Sequence, residues 1–192
     1  MPKIPLNAEC VFKGEIFDVY QWEQELFDGS SATFECLKRP DTIVIIPIID
    51  GKVCYAHQEQ PNKPPFISLF GGRAEDGELP LETAKRELLE ETGFESDEWF
   101  QFRKYNSYSK LDWNIYFFVA KNCHKVQEQS LDSGEKIEIK KTDLDTFFSE
   151  VVGDPRFSER ELRNEIFSTL NSESLADIKA EILGLGCADN SK

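Results

Sequence analysis

The feature that most constrains this chain is a run of carboxylates and leucines at residues 72–94. The run reads GRAEDGELPLETAKRELLEETGF. Pro80 suits the first turn of a helix and Gly93 suits the left-handed position after its last turn, so the pattern predicts a helix over 80–92. The apolar positions of this helix recur at helical spacing and are Leu81, Ala84 and Leu88. One face of the helix is therefore expected to pack on a core.

Three carboxylates fall close together on the same predicted helix. At about 100° per residue, Glu87 and Glu91 lie about 40° apart and one turn from each other, and Glu90 falls within the same arc. Like charges near the edge of a core repel one another strongly, and a bound divalent cation such as Mg²⁺ would remove that conflict. The alternative is a solvated acidic face on which Arg86 pairs with Glu90 and Glu82.

Composition narrows the class of protein. Of 192 residues, 40% are hydrophobic and 30% charged, which is typical of a globular domain and not of a disordered or membrane-spanning chain. Lys and Arg number 22 against 36 Asp and Glu, so the net charge of −14 disfavours nucleic acid and anionic membranes as partners. The five cysteines form no CxxC pattern, which indicates reduced thiols and a cytoplasmic location.

Strand-like patterns on both sides of the helix predict a mixed α+β fold rather than a regular βαβ alternation. Strands are predicted at 11–20, 32–37, 42–49, 52–58, 66–70, 100–105 and 115–120, with turns at 28–30 and 50–51 and a loop at 61–65. Later helices are predicted at 143–151, 159–170 and 175–183. The run 42–49 is continuously apolar, which indicates a fully buried strand.

The whole pattern of residues 72–94 resembles the Nudix box, the signature of the Nudix hydrolase family. It has Gly72, five residues, Glu78, seven residues and then RELLEETGF at 86–94. The segments before Pro40 and at 134–138, GEKIE, are similar to the ADP-ribose pyrophosphatase branch. The resemblance implies an α+β fold, a Nudix α/β/α sandwich with a mixed sheet, plus N-terminal antiparallel strands. We expect a strand extension for dimerisation at 1–41 and a catalytic domain with C-terminal helices at 42–192.

The resemblance implies an enzyme that hydrolyses the pyrophosphate bond of a nucleoside diphosphate linked to a sugar. Its expected cofactor is Mg²⁺, for which Mn²⁺ can substitute. The best candidate is ADP-ribose, which would give AMP and ribose 5-phosphate. A GDP- or UDP-sugar is an alternative, because many ADP-ribose hydrolases carry an arginine where this chain has Gln60. Two further hypotheses are a damaged nucleoside triphosphate as the substrate and a non-catalytic role in nucleotide binding.

The resemblance also assigns roles to residues. Glu87 and Glu91 match metal ligands, Glu90 an assisting carboxylate, and Gly71 a main-chain carbonyl that completes the metal shell. Glu135 matches a glutamate that serves as a ligand or general base, although an acid in such a loop is otherwise a solvated residue. The structural positions of the box are Gly72, Glu78, Arg86 and Gly93, and Arg86 is expected to orient Glu78.

The candidate substrate-binding residues are Arg39, Arg73, Phe34 and Trp22. Arg39 matches a basic position that reaches substrate phosphate or base, often across a dimer, and is otherwise a cation at a strand end. Arg73 is a candidate phosphate contact. The two aromatic side chains are candidates for stacking on a base, with core packing as the alternative.

A homodimer is the expected assembly, with the N-terminal strands helping to build the partner's site. A two-stranded ribbon is marginally stable alone, and its exposed edge invites pairing. The apolar and aromatic positions of this ribbon are Phe12, Phe17, Tyr20, Trp22, Phe27 and Phe34. In the competing interpretation, the ribbon folds back on its own core.

Overall fold

The computed structural model describes residues 3–106, 109–169 and 174–184. The strands are β1 (Glu9–Lys13), β2 (Asp18–Glu25), β3 (Ser31–Lys38), β4 (Thr42–Ile49), β5 (Lys52–Gln60), β6 (Lys63–Ser68), β7 (Phe94–Glu95), β8 (Glu98–Asn106), β9 (Leu111–Asp112), β10 (Asn114–Lys121), β11 (His124–Lys125) and β12 (Lys136–Thr142). The helices are α1 (Pro80–Thr92), α2 (Leu144–Thr146), a π-helical turn (Phe147–Val151), α3 (Arg160–Thr169) and α4 (Ser174–Leu183).

A mixed sheet forms the centre of the fold. Its strand order is β12-β5-β4-β10-β8, with β6 also paired to β5. The pairing of β4 with β10 is parallel, whereas β4 with β5 and β8 with β10 are antiparallel. The predicted mixed α+β architecture is confirmed.

Strand β4 supplies side chains to both faces of this sheet, because successive residues of a strand point in opposite directions. Val44, Ile46 and Ile48 belong to a core with α3 and α4, and Ile43, Ile45 and Ile49 to a second core with α1. Helices therefore cover the sheet on both sides, as the sandwich prediction requires.

The β4 strand also changes partners along one edge. Near its start, the amides of Ile43 and Ile45 donate to the carbonyls of Gly72 and Phe70, at 2.8 and 2.7 Å. At its end, β4 pairs with β5 instead. Pro47, which has no amide hydrogen to offer, lies between these two stretches. This change of partners brings residues 70–72 against the sheet immediately before α1.

The N-terminal strands form a separate sheet in the order β1-β2-β3-β9. Strand β3 pairs with β9 over two residues, in parallel. The exposed large apolar side chains on these strands and their turns are Val11, Phe12, Ile16, Phe17, Leu26, Phe27, Phe34 and Leu37. This surface is unusually apolar for one exposed to water.

Three local predictions were wrong in part. The predicted strand 11–20 is broken, because the Gly14 amide donates to the Phe17 carbonyl at 3.1 Å and turns the chain. The predicted loop 61–65 ends early, since β6 begins at Lys63. Its prolines are tolerated because they lie where β6 pairs with β5 alone, before Ile67 bridges to Phe157 on the other side. The predicted helix 143–151 is a short α2 followed by a π-helical turn.

The predictions of helices at 159–170 and 175–183 agree with α3 and α4 to within a residue at each described end, and Leu170 lies outside the described residues. Cys187 also lies outside them, and the other four cysteines are free thiols. Within the described part of the chain, every helix is too short or too polar to cross a bilayer.

Candidate active site

Helix α1 occupies the predicted residues 80–92. Pro80 stands in its first turn, and Gly93, at φ 72°, ends it with an amide that donates to the Leu89 carbonyl at 2.8 Å. Ala84 and Leu88 are completely buried, as the apolar spacing predicts. Leu81 differs, because it lies at the exposed start of the helix and is 37% exposed.

Two glycines bring the chain against this helix. Gly71 adopts φ 135°, and a Cβ there would lie 2.1 Å from the Ile43 carbonyl oxygen of β4. A Cβ on Gly72 would lie 2.3 Å from Oε1 of Glu87. Gly71 therefore requires glycine for both its backbone conformation and its close approach to β4, whereas a side chain at Gly72 would displace the Glu87 carboxylate.

The Glu91 carboxylate is held at the base of the site. It is 5% exposed, and its Oε2 accepts a hydrogen bond from the Gly71 amide at 2.7 Å. Burial raises the pKa of Glu91 well above its usual value, and burial also raises the pKa of Glu87. Two carboxyls with raised pKa on one helix face show that their negative charges are incompletely compensated.

Arg86 forms ion pairs with three carboxylates of the box. Its Nε donates to Glu78 Oε1 at 3.0 Å, and its Nη1 lies 2.9 Å from Glu87 Oε1 and 3.0 Å from Glu90 Oε2. The hydrogen bonds from Arg86 lower the pKa of Glu78 to about 2. The Arg86–Glu78 pair is therefore present, and so is the Arg86–Glu90 pair of the solvated-face alternative. Glu82 accepts instead from the Leu79 amide at the start of the helix.

The predicted carboxylates line one cavity of about 650 Å³, which we call the carboxylate cavity. Its wall contains all four of them: Glu87, Glu90, Glu91 and Glu135. Gly71, Gly72, Arg39 and Arg73 line it as well. The structure thus brings residues from the end of β3, the 70–73 segment, α1 and the loop before β12 to one place.

Glu135 reaches this cavity from the loop before β12. Its amide donates to the Asp132 carbonyl at 2.9 Å, and its Oε1 lies 3.5 Å from Gln60 Nε2. Burial, followed by the charge of Asp132, raises the pKa of Glu135. Glu138, predicted to point outward, is exposed and pairs with Lys140.

Arg39 is a cation in the wall of the carboxylate cavity. Its guanidinium carbon lies 4.6 Å from the centroid of the Trp113 ring and 5.6 Å from that of Phe17. Nη2 donates to Thr42 Oγ1 at 3.3 Å, whereas the buried Nε has no hydrogen-bond partner among the described residues. Burial, with the nearby Arg73, lowers the pKa of Arg39. The guanidinium groups of Arg39 and Arg73 are donors that could bind an anion in this cavity.

Two predicted substrate-binding residues lie elsewhere. Trp22 and Phe34 are cross-strand neighbours on β2 and β3, with ring centroids 6.2 Å apart. Neither lines the carboxylate cavity of its own chain. Sequence reasoning missed Ile16 and Phe17 as lining residues, since both were assigned to a continuous strand and in fact lie in the turn between β1 and β2.

The donor set suits a hard divalent cation, because all the candidate ligands are oxygens and their charge is incompletely compensated. Among the described residues, no three carboxylate, imidazole or thiol groups are already gathered as a metal site. Glu87 and Glu90 are held by Arg86, and Glu91 by the Gly71 amide. Binding a cation would therefore require these carboxylates to share or exchange their present partners.

The model of the NUDIX domain matches residues 38–164. This chain belongs to the NUDIX family. A NUDIX relative from Bacillus subtilis (strain 168), named ADP-ribose pyrophosphatase, is 29% identical over 144 residues, which cover 73% of this chain and 78% of the relative. A second relative, the methanol dehydrogenase activator of Bacillus methanolicus, is 29% identical over 145 residues, with the same shares covered.

A solved structure described as an ADP compounds hydrolase has the same fold. Its TM-score is 0.69 at 22% identity, with 94% of each chain covered. With the family match and the relatives, it confirms the predicted NUDIX fold and the likeness to the ADP-ribose pyrophosphatase branch. The predicted class of enzyme, a Nudix pyrophosphohydrolase, is confirmed as well.

Proposed function

We propose that this NUDIX protein hydrolyses the pyrophosphate bond of a nucleoside diphosphate sugar with Mg²⁺ as its cofactor and Mn²⁺ as a substitute. ADP-ribose is the best candidate, and its products are AMP and ribose 5-phosphate. The observation that carries this proposal is the carboxylate cavity, where six carboxylates and three arginines line one space, the four predicted glutamates among them. The name of the Bacillus subtilis relative supports the choice of substrate.

The carboxylates form the proposed metal-binding side of the cavity. Glu87 and Glu91 are the ligands, Glu90 assists them, and the Gly71 carbonyl completes the set. Arg86 holds Glu87 and Glu90 in place from α1, as it does in the present contacts. A bound divalent cation would neutralise charge on the pyrophosphate and promote ionisation of the attacking water.

Glu135 is the proposed general base or additional ligand. It reaches the cavity from a loop rather than from α1, and burial raises its pKa, which makes its carboxylate a better proton acceptor than an exposed one. Arg39 and Arg73 are the proposed phosphate contacts. Their side chains line the same cavity as the acids and attract a polyanion that the net charge of the chain would otherwise repel.

A homodimer is the proposed assembly. The apolar surface of the N-terminal sheet supports it, because the exposed side chains on β1–β3 are better packed against a second copy than solvated. Trp22 and Phe34 lie outside the carboxylate cavity of their own chain, and we propose that they serve the partner's site. Free thiols at Cys36, Cys54 and Cys123 support a reducing location such as the cytoplasm.

Another nucleotide sugar is the second candidate substrate. Gln60 lines the carboxylate cavity at the position where many ADP-ribose hydrolases place an arginine, which leaves this cavity with one cation fewer. A GDP- or UDP-hexose is therefore a competitor of ADP-ribose.

A panel of nucleotides tests the proposal. Purified protein is incubated with ADP-ribose, GDP-mannose, UDP-glucose and dNTPs in Mg²⁺ or Mn²⁺, and the released phosphate esters are identified. We expect AMP and ribose 5-phosphate from ADP-ribose, faster than any product from dNTPs, and no turnover in excess EDTA. Tight nucleotide binding in calorimetry without any hydrolysis would favour a non-catalytic module.

A further inference from the structure

A second cavity, of about 170 Å³, adjoins the carboxylate cavity, and we call it the side cavity. The two cavities share wall residues, which include Gln60, Gly71, Glu91 and Glu135. Ser68 and Glu159 line the side cavity alone. Atoms Ser68 Oγ and Glu159 Oε2 are closed to solvent, and neither has a hydrogen-bond partner among the described residues.

Main-chain hydrogen bonds fix these two residues beside each other. The Ile67 amide donates to the Arg156 carbonyl at 3.1 Å, and the Ser158 amide donates to the Ile67 carbonyl at 2.9 Å. The end of β6 is thereby joined to the segment that starts α3. Ser68 and Glu159 follow directly on the two joined stretches, so their positions are set by backbone pairing.

Ser68 Oγ and Glu159 Oε2 are both without a hydrogen-bond partner among the described residues. Ser68 is 3% exposed, and an unpaired hydroxyl at such a position is destabilising. Glu159 Oε1 accepts from Ser158 Oγ at 2.8 Å, whereas Oε2 has no partner within hydrogen-bond distance among the described residues, although the Leu69 amide is near enough to lower the pKa of this carboxyl. Burial raises the pKa of the Glu159 carboxyl to about 7. Buried polar groups of this kind need a partner from outside the chain, either an ordered water or a ligand.

The wall of the side cavity mixes donors with acceptors. Gln58, Gln60 and Lys63 line it together with three carboxylates. The Lys63 ammonium lies 3.3 Å from the centroid of the Phe66 ring. Three carboxylates against one ammonium disfavour an anion. Hydroxyl groups, which donate and accept at once, are the ligand chemistry that matches such a wall.

We propose that the side cavity binds hydroxyl groups of the sugar half of the substrate, next to the pyrophosphate in the carboxylate cavity. The inference rests on the proposed function, because it requires a nucleoside diphosphate linked to a polyol. Glu159 Oε2 accepts a hydrogen bond from one hydroxyl, and Ser68 Oγ bonds to another. An analogue without these hydroxyls leaves both buried oxygens unpaired, so the side cavity sets specificity for the sugar.

Two substrates with the same pyrophosphate test this. One is ADP-ribose, and the other is the methyl ester of ADP, P1-adenosine P2-methyl diphosphate, which carries no sugar on its second phosphate. We expect wild-type kcat/KM to favour ADP-ribose. That preference falls about tenfold in Ser68→Ala and by at least as much in Glu159→Gln, as expected for losing one hydrogen bond to a buried group.

Matched substitutions serve as controls. Ser149→Ala and Glu150→Gln make the same chemical changes at exposed residues away from both cavities, and the preference should stay at the wild-type ratio. Ser68→Ala also removes an unpaired buried hydroxyl, so its midpoint of thermal unfolding by circular dichroism should not fall. This variant keeps the test valid even where Glu159→Gln perturbs folding.

The possible outcomes distinguish a failure of the sugar site from a failure of the proposed function. A reduced preference in Ser68→Ala at an unchanged unfolding midpoint supports the sugar site. Wild-type preference in both variants overturns the sugar site and leaves the proposed function standing. A wild-type protein that cleaves neither substrate, nor GDP-mannose or UDP-glucose, overturns the proposed function itself.

Discussion

The box segment at 72–94 and the N-terminal sheet of β1–β3 differ in what holds their side chains. In the box, four of the acids have partners from a nearby part of the chain: Glu78, Glu87 and Glu90 contact Arg86, and Glu91 contacts the Gly71 amide. In the N-terminal sheet, large apolar side chains such as Phe12 face solvent, and β3 meets β9 over two residues.

The difference shows that this chain specifies its two regions by different means. The box is a local structure, in which the period of one helix and two glycines determine where the carboxylates lie. The N-terminal sheet has regular strands, but its apolar surface is left without a partner among the described residues of the single chain. We expect changes in the box to act on chemistry and changes in the sheet to act on assembly.

Glu91→Gln should give the largest effect, a loss of about 100-fold or more in kcat with the fold retained. The amide keeps the size and the helix preference of the side chain but removes the charge of a proposed ligand, and electrostatic stabilisation at a reacting centre is worth at least that factor. Steady-state kinetics with ADP-ribose measures it. Glu95→Gln, at an exposed position just beyond α1, is the control. Activity of Glu91→Gln within threefold of wild type removes this residue from the metal site.

Glu135→Gln should slow turnover about tenfold or more while KM changes by less than about twofold. It tests whether a residue outside the helix belongs with the box, because a base acts on the reaction and not on nucleotide binding. Both constants come from initial rates over a range of ADP-ribose concentrations. Glu138→Gln, three residues on and exposed, should behave as wild type. An unchanged kcat would return Glu135 to the solvated-loop interpretation.

Phe12→Asp should weaken the proposed dimer about tenfold or more, because it places a charge in an apolar interface. Sedimentation velocity from nanomolar to micromolar protein measures the dissociation constant. Val126→Asp, at an exposed apolar position on the catalytic domain, is the matched control. Wild-type protein that stays near 22.1 kDa at micromolar concentration contradicts the dimer and removes the contrast drawn between the two regions.

Glu159→Gln should change the pH dependence of stability, the smallest of these effects. Burial raises the pKa of Glu159 to about 7 in the folded protein from 4.5, so the folded state binds more protons between those values. The free energy of unfolding contributed by this group is full below about pH 4.5 and is lost as the pH rises through 7. Urea titrations at pH 5 and pH 8 should show a smaller decline in the variant. Equal declines would contradict a buried, ionising Glu159.

The sequence predicts the box region well because its order is short-range. Helical spacing places Glu87, Glu90 and Glu91 on one arc, and family resemblance adds Glu135, which no periodicity links to the helix. Long-range features escape such reasoning. The break at Gly14 depends on its contact with the Phe17 carbonyl, and the unpaired state of Ser68 depends on how the start of α3 meets β6.

The β4 segment Thr42–Ile49 has a consequence for the newly made chain. Eight residues rich in isoleucine and without charge have the composition of segments that stack on one another in fibrils. In the finished fold, β10 covers one edge of β4, but β10 is synthesised some seventy residues later. Pro47 interrupts the amide ladder that a second copy of the segment would need. Pro47 therefore stands both where β4 changes partners and where such a stack would need an amide.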